Sequence, residues 1–330
     1  MNIVYFRCAR FAAGTAALVL AASLVTFDRQ PVAAQGSITV GYLVKTLSNP
    51  FFVAMGDGAK SEAKAKSVQL VFEAGKYDGD NATQTSQIDD LITRGAKAIA
   101  VVPNLSSGLA PAVKRAKAAG IKVLSVDTAL DPQSLADTFI ATDNLKAGML
   151  NGQWAKKAMG STKPVVALLE GTPGSQVNTD RLNGFLQGLG IAKSAAVADE
   201  ITNGDQGKGQ TAMENVLSAH PNINLLWTVN EPAALGAATA IKARGLGGKI
   251  KVVSMDGGCR GIKAVQDGTI DSDVMQFPKK MAQTAIDLAQ QAAQGKPIPK
   301  RVDTGEILVL KTPLAGISSQ SIGFGLKNCW

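Results

Sequence analysis

The stretch ITVGYLVKTLSNPFFVAMGDGAKSEAKA, Ile38 to Ala65, decides the architecture. Ile38 to Leu43 is a short β-branched apolar run of strand length, and Phe51 to Ala65, after Asn49-Pro50, carries the longer Ala-rich pattern of a helix. A strand passing through turn residues into a helix is a βα unit. Chains that repeat it build parallel sheets, because parallel neighbours need a crossover long enough to hold a helix. Working outward, the unit recurs. Val68 to Phe72, Ala98 to Val102 and Val123 to Val126 read as further strands, with helices over Thr83 to Thr93 and Leu109 to Ala119. Each helix ends in Gly or a basic residue.

The pattern then starts again. Val165 to Leu169, Val197 to Ile201, Leu225 to Val229 and Val252 to Met255 read as strands, separated by helices at Asn178 to Leu189, Thr211 to Ala219 and Ala233 to Ala243. These strands begin about 127 to 129 positions after their counterparts at Ile38, Val68, Ala98 and Val123. One large doubly wound sheet could share this rhythm, but so long a sheet is uncommon. Two α/β lobes built to one plan, each a doubly wound parallel sheet, suit a chain of 330 residues better.

The first residues stand apart from this fold. Arg7 and Arg10 precede an uncharged apolar stretch from Phe11 to Phe27, and Val32-Ala33-Ala34 supplies the small residues that signal peptidase reads. Residues 1–34 are therefore read as a cleaved export signal. The apolar run is 17 residues long, short for a permanent anchor, and Cys8 lies upstream of it, where a lipid-bearing cysteine would not be placed. After cleavage the cysteines left are Cys259 and Cys329, an even pair in an oxidising compartment.

Composition narrows the function. The single His, His220, leaves little room for a His-ligated zinc site or a Ser/His/Asp triad, and its position before Pro221 at a helix end suits a capping or surface role. The formal charge is +8, but basic residues are spread without the dense run that tracks a phosphate backbone, so nucleic acid is not expected as a partner. Gly245-Leu246-Gly247 and Gly323-Phe324-Gly325 lack the third glycine of a dinucleotide fingerprint and read as turns. Neither cofactor nor metal is expected.

In open parallel sheets, ligands sit beyond the carboxyl ends of the strands. At those ends the first half places Asn49-Pro50-Phe51-Phe52, Asn104 and Asp127, and the second half places Asn230 and Asp256. An amide and a carboxylate from each half suit a neutral polyhydroxylated ligand, since a carboxylate accepts hydroxyl hydrogen bonds and an amide both donates and accepts. An aromatic face covers the C–H side of a sugar ring. Each residue also has an ordinary structural role: Asn104 and Asp256 as caps or turns, Phe51 and Phe52 as core residues of a helix start. Arg181, early in a helix, is mildly disfavoured by the helix dipole, which favours a functional reading.

Val44 to Asn49 followed by Pro50-Phe51-Phe52, then Ser125-Val126-Asp127, Asp180-Arg181, Asn230-Glu231 with Ala234-Leu235-Gly236, Ser254-Met255-Asp256-Gly257 and Met275-Gln276 resemble the ribose-binding family of periplasmic sugar-binding proteins. The resemblance covers nearly all of the chain after the export signal. It implies the type I periplasmic binding protein fold, two lobes joined by a three-segment hinge that close on one monosaccharide and deliver it to the membrane permease of an ABC importer. The implied lobes are residues 37–142 plus 277–305 and residues 143–276 plus 306–330, with hinge crossings near Ala141 to Asn144, Gln276 to Pro278 and Asp303 to Glu306. The implied ligand set is Asn49, Phe51, Phe52, Asp127, Arg181, Asn230, Asp256 and Gln276. Phe51 and Phe52 would stack on the ring, Asp127 and Asp256 accept hydroxyls from opposite lobes, and Arg181, Asn230 and Gln276 donate. Because the resemblance also returns the last segment to the second lobe, a Cys259–Cys329 disulfide is expected.

Two departures bear on the sugar. Ribose binders usually carry Arg after the first-lobe aspartate where this chain has Thr128, and the second-lobe aromatic is replaced near Gly204, so the pocket should be roomier than a ribose site. A ketohexose, an aldohexose or a polyol fits as well. Asp256-Gly257-Gly258-Cys259 and Asn328-Cys329-Trp330 resemble the branch that includes fructose binders. The expected protein is a monomeric periplasmic sugar carrier and not an enzyme. Its alternatives are an exported carbohydrate hydrolase using Asp127 and Asp256, and a sugar sensor docking to a chemoreceptor. A sugar-responsive repressor would need a helix-turn-helix where the export signal lies.

Overall fold

The computed structural model describes residues 1–3, 9 and 38–330. The export signal read over residues 1–34, including Cys8 and the Val32-Ala33-Ala34 site, lies outside the described residues apart from residues 1–3 and 9.

The chain first alternates β1 (Thr39–Val44), α1 (Pro50–Ala65), β2 (Gln69–Ala74), α2 (Asn81–Thr93), β3 (Ala98–Val101), α3 (Ala110–Ala118), β4 (Lys122–Val126) and β5 (Thr138–Ala141). It continues with α4 (Asn144–Met159), β6 (Val166–Glu170), α5 (Gln176–Leu189), β7 (Ala198–Ile201), α6 (Gln206–Ala219), β8 (Leu225–Thr228), α7 (Glu231–Ala243), β9 (Lys251–Asp256), α8 (Cys259–Asp267) and β10 (Ser272–Met275). Then follow α9 (Pro278–Ala293), β11 (Arg301–Asp303), β12 (Ile307–Leu310), β13 (Ser319–Ser321) and α10 (Ile322–Asn328).

Two sheets result. One runs β11-β5-β4-β3-β1-β2 with every pairing parallel; the other runs β13-β12-β10-β9-β8-β6-β7, parallel except for β10 against β12. The five-strand order β2-β1-β3-β4-β5 thus reappears as β7-β6-β8-β9-β10, the doubly wound order that places a crevice at the carboxyl ends where the winding reverses. The chain passes between the sheets three times: after β5 into α4, from β10 into α9, and from β11 to β12. At the crossings, Thr304 N donates to Ala141 O at 3.0 Å and Thr142 Oγ1 donates to Gly305 O at 3.2 Å.

The first sheet is packed on one face by α1 and α9, through Phe52, Met55, Met281 and Ile286, and on the other around Ile88, Leu91, Leu109 and Val113. The second has Trp154, Phe185 and Trp227 on one face and Met213, Val216 and Ile241 on the other. Helix starts are set by side chains that accept otherwise orphaned amides: Asn49 for α1, Asp80 for α2, Asp143 for α4, Asp205 for α6 and Asn230 for α7.

The structure lengthens some helices read from sequence. The helix expected from Thr211 begins at Gln206, because Asp205 Oδ1 accepts from Lys208 N at 2.9 Å. Gly207 and Gly209 make that turn look like loop, yet Gly209 is there for packing: a Cβ on it would stand 2.6 Å from Ala233 O. Helix α4, which carries the chain into the second lobe, has no counterpart among the helices expected from sequence. Its Gly148 and Gly152 face α5 so closely that a Cβ at either would lie 2.2 Å from a backbone carbonyl oxygen. Cys259 and Cys329 form a disulfide that ties α10 to the start of α8.

Candidate functional site

The β1–α1 turn builds one wall of the crevice. Asn49 Oδ1 accepts from Phe51 N at 2.9 Å, which fixes the first turn of α1 and the positions of Phe51 and Phe52. Their rings meet edge to face with centroids 5.4 Å apart, and each residue is under 5% exposed. From the end of β4, Asp127 reaches the same crevice with φ of 59°, a left-handed conformation that non-glycine residues adopt only where their surroundings hold it. Its Oδ2 accepts from Thr128 Oγ1 at 3.1 Å, while Oδ1 is buried with no partner among the described residues.

The second lobe faces this wall with Arg181 and Asp256. On α5, Arg181 is buried: Nε donates to Asn144 Oδ1 at 2.8 Å, and one terminal nitrogen donates to Val229 O at 2.8 Å and lies 3.5 Å from Asp256 Oδ1. That carboxylate offsets the unfavourable end of the helix dipole. Asp256, at the end of β9, also has positive φ, 135°. Gln276 Nε2 donates to its Oδ1 at 3.2 Å, and Oδ2 has no partner among the described residues. The helix that follows is N-capped at Gly258, not at Asp256.

The crevice encloses about 430 Å³ of space between the lobes, its opening to solvent included. Asn49, Phe51, Phe52, Asp127, Arg181, Asn230 and Asp256 all line it. Gln276 does not. It is wholly buried, and its NH2 orients Asp256 instead of reaching the crevice. Asn230 contributes less than a free amide would, since its Oδ1 accepts from Ala233 N and its Nδ2 donates to Gly204 O. Asn104 plays a purely structural part: its side chain accepts from Gly79 N and donates to Asp80 O. His220 is the C-cap of α6.

Sequence reasoning missed Lys45, Asp78, Thr172 and Asn178, which also line the crevice. Lys45 immediately follows β1 and could have been read from that position; Asp78 and Thr172 lie in loops with no distinguishing pattern. Their importance is spatial. Thr172 Oγ1 donates to Asp78 Oδ1 at 2.6 Å, Ser106 N donates to Gly174 O at 3.2 Å, and Gln176 N donates to Ser106 Oγ at 3.0 Å, so the two lobes are joined across the crevice mouth.

Burial dominates the electrostatics. It raises Asp127 above the usual carboxylate range, with Lys45 and then Arg181 pulling it back. Burial also pushes Asp256 up to about 7, against Arg181, with Glu231 and Asp127 adding to the rise. Behind it, buried Asp273 and Glu231 are raised by desolvation as well, while Gly257 N and Gly258 N donate to them at 3.2 and 2.8 Å. The crevice therefore offers two carboxylates with an unused oxygen each, one guanidinium, one ammonium and an aromatic corner. With Asp78, its ionisable groups in their ionised forms carry three negative and two positive charges, an arrangement for hydroxyl groups and not for an anion.

Residues 40–297 match the family described as periplasmic binding protein domain. The chain is 32% identical to a ribose import binding protein of Bacillus subtilis, over 80% of this chain and 84% of that protein. A solute-binding protein of an ABC transporter from Actinobacillus succinogenes, solved with D-allose, superposes with a TM-score of 0.76 at 30% identity, covering 83% of this chain and 98% of that one. A Mycobacterium smegmatis protein in complex with β-D-fucofuranose gives 0.77 at 30% identity, covering 82% and 91%.

Proposed function

Because the chain belongs to the ribose-binding family of periplasmic binding proteins, whose members are solute-binding proteins and not enzymes, we propose that it captures one neutral monosaccharide between its lobes and delivers it to an ABC importer. One observation carries this reading. Asp127 and Asp256, from opposite lobes, line one crevice, and each keeps a buried oxygen without a partner among the described residues. Left empty and closed, that arrangement is costly, because burying an unpaired polar group costs free energy. Sugar hydroxyls supply the missing donors. A ligand that touches both carboxylates thereby favours the closed lobes over the open ones, and a ligand shifts such an equilibrium only by its differential affinity.

In this reading Phe51 and Phe52 cover the C–H face of the ring, Arg181 and Asn49 donate to its oxygens, and Asn230 and Gln276 hold the loop and the carboxylate in place. The lobes are residues 37–142 with 277–305 and residues 143–276 with 306–330, moving about the three crossings. Thr128 in place of an arginine and the glycine at 204 leave space for a hexose, and the Asp256-Gly257-Gly258-Cys259 segment puts fructose first among candidates. Ribose, allose and furanose forms, found in the names and complexes of relatives, follow. Cleavage after Ala34 would release a monomeric carrier into the periplasm, where a permease, and in a second role a chemoreceptor, would read the closed form.

A thermal-shift screen of monosaccharides and polyols tests the proposal. A ligand at 100 times its dissociation constant stabilises the native state by about 2.7 kcal/mol, enough to register clearly. A neutral monosaccharide should score. Stabilisation by amino acids, peptides or phosphorylated sugars alone would contradict the reading.

A further inference from the structure

Resting on the sugar-binding reading of the crevice, we propose that Trp330 is a positioning residue for it, bracing Phe51 from behind and steadying the segment that holds Asp256. Trp330 belongs by attachment to the second lobe. Its neighbour Cys329 is bonded to Cys259, Cys329 N donates to Gly325 O at 2.8 Å, and Cys259 N donates to Trp330 O at 3.2 Å. Its ring nonetheless reaches the first lobe. The indole meets Phe51 edge to face, with centroids 5.5 Å apart and planes at 77°, and packs against the same core as Phe52 and Met55.

Three aromatic rings therefore stand in series: Phe52 against Phe51, and Phe51 against Trp330. The first two line the crevice and the third does not. At its other end, the indole N–H donates to Gln276 O at 3.2 Å, and Gln276 in turn donates its side-chain amide to Asp256. One side chain thus contacts the residue proposed to cover the sugar ring and the backbone of the residue that orients the second-lobe carboxylate. Gly258 packs beside this seat: a Cβ there would stand 3.3 Å from the indole and 2.9 Å from Glu231 Oε2. Without the indole, Phe51 loses one of the two aromatic contacts that limit its ring, and part of the cost of ordering it falls on the sugar.

The test compares Trp330→Leu and Trp330→Phe with wild type in the full chain, by calorimetric titration with D-fructose, D-allose and D-ribose. Each variant's melting curve shows that it is folded at the titration temperature. Trp330→Leu should weaken the dissociation constant by about two- to tenfold, the worth of an edge-to-face aromatic contact, and Trp330→Phe should recover most of the loss. Fluorescence gives a readout that a merely structural role would not move. Trp154 and Trp227 lie in the second-lobe core, so a sugar-dependent change in emission should come from Trp330 and vanish in Trp330→Phe while binding persists. Wild-type affinity in Trp330→Leu, or a sugar-dependent emission change that survives in Trp330→Phe, overturns the proposal. If wild type binds none of the three sugars, it is the reading of the crevice that fails, and the brace falls with it.

Discussion

Asp256→Asn keeps the shape of the side chain and removes its charge, at the residue where the proposed function is most exposed to test. Oδ1 of Asp256 already accepts from Gln276 at 3.2 Å, and Oδ2 accepts nothing among the described residues. An asparagine can keep the Gln276 bond only by turning its NH2 toward the crevice, where a donating sugar hydroxyl would meet a donor. The expected loss is one hydrogen bond to a charged acceptor, about 1.5 to 3 kcal/mol, or about ten- to a hundredfold in Kd. Folding stability should move the other way. Burial raises Asp256 to about 7, so at pH 8 the closed, unliganded protein holds a carboxylate in surroundings that disfavour its charge relative to water. Against an ordinary value of 3.8, that costs on the order of 4 kcal/mol, which asparagine avoids. Calorimetric titration at pH 8, using the sugar that most stabilises wild type, should show the weakened Kd beside an equal or higher melting temperature. A normal Kd with a lowered melting temperature would refute the reasoning and make Asp256 a structural residue of the β9–α8 corner.

Arg181→Met keeps much of the stem and removes the donors that hold Asn144, Val229 O and Asp256, so sugar affinity should fall by about tenfold or more; titration giving an unchanged Kd would remove Arg181 from the site. Joint replacement of Cys259 and Cys329 by serine frees a 70-residue separation, and urea denaturation should show a loss of up to about 4 kcal/mol, an unmoved midpoint counting against it. The pH dependence has a definite sign. Between the ordinary 3.8 and about 7 the folded, unliganded protein keeps a proton on Asp256 that the unfolded chain has released, so this group's contribution to stability declines as pH rises through that window. Sugar binding to the carboxylate should tighten as pH rises toward about 7, with proton release visible as a buffer-dependent calorimetric heat that Asp256→Asn abolishes. Finally, small-angle scattering should show a smaller radius of gyration at sugar saturation; a radius that stays constant is incompatible with closure.

Local chemistry made the βα repeat legible in the sequence. Asn49-Pro50 before an apolar helical face and the β-branched run ahead of it act over a few residues, and the recurrence of strand starts 127 to 129 positions later points to the two-lobe plan. The strand-end carboxylates were legible for the same reason, since the end of a strand is a local feature and the doubly wound order directs it to the crevice. Cys259 and Cys329 were legible as the pair left after the export signal. What each polar group does was not, because hydrogen-bonding capacity is shared out in three dimensions. Asn104 and Asp127 both follow strands of the first sheet; the first is consumed by Gly79 and Asp80, and the second keeps a free oxygen. Gln276 and Asp256 looked like equal ligands until the bond between them placed one behind the other. Helix α4 escaped notice because its glycines, poor helix formers by propensity, are required by a neighbour that only the folded chain supplies. Trp330, 279 positions from Phe51, meets it only because a disulfide and three crossings between the sheets bring the end of α10 to the start of α1, and no short-range pattern encodes a contact of that span.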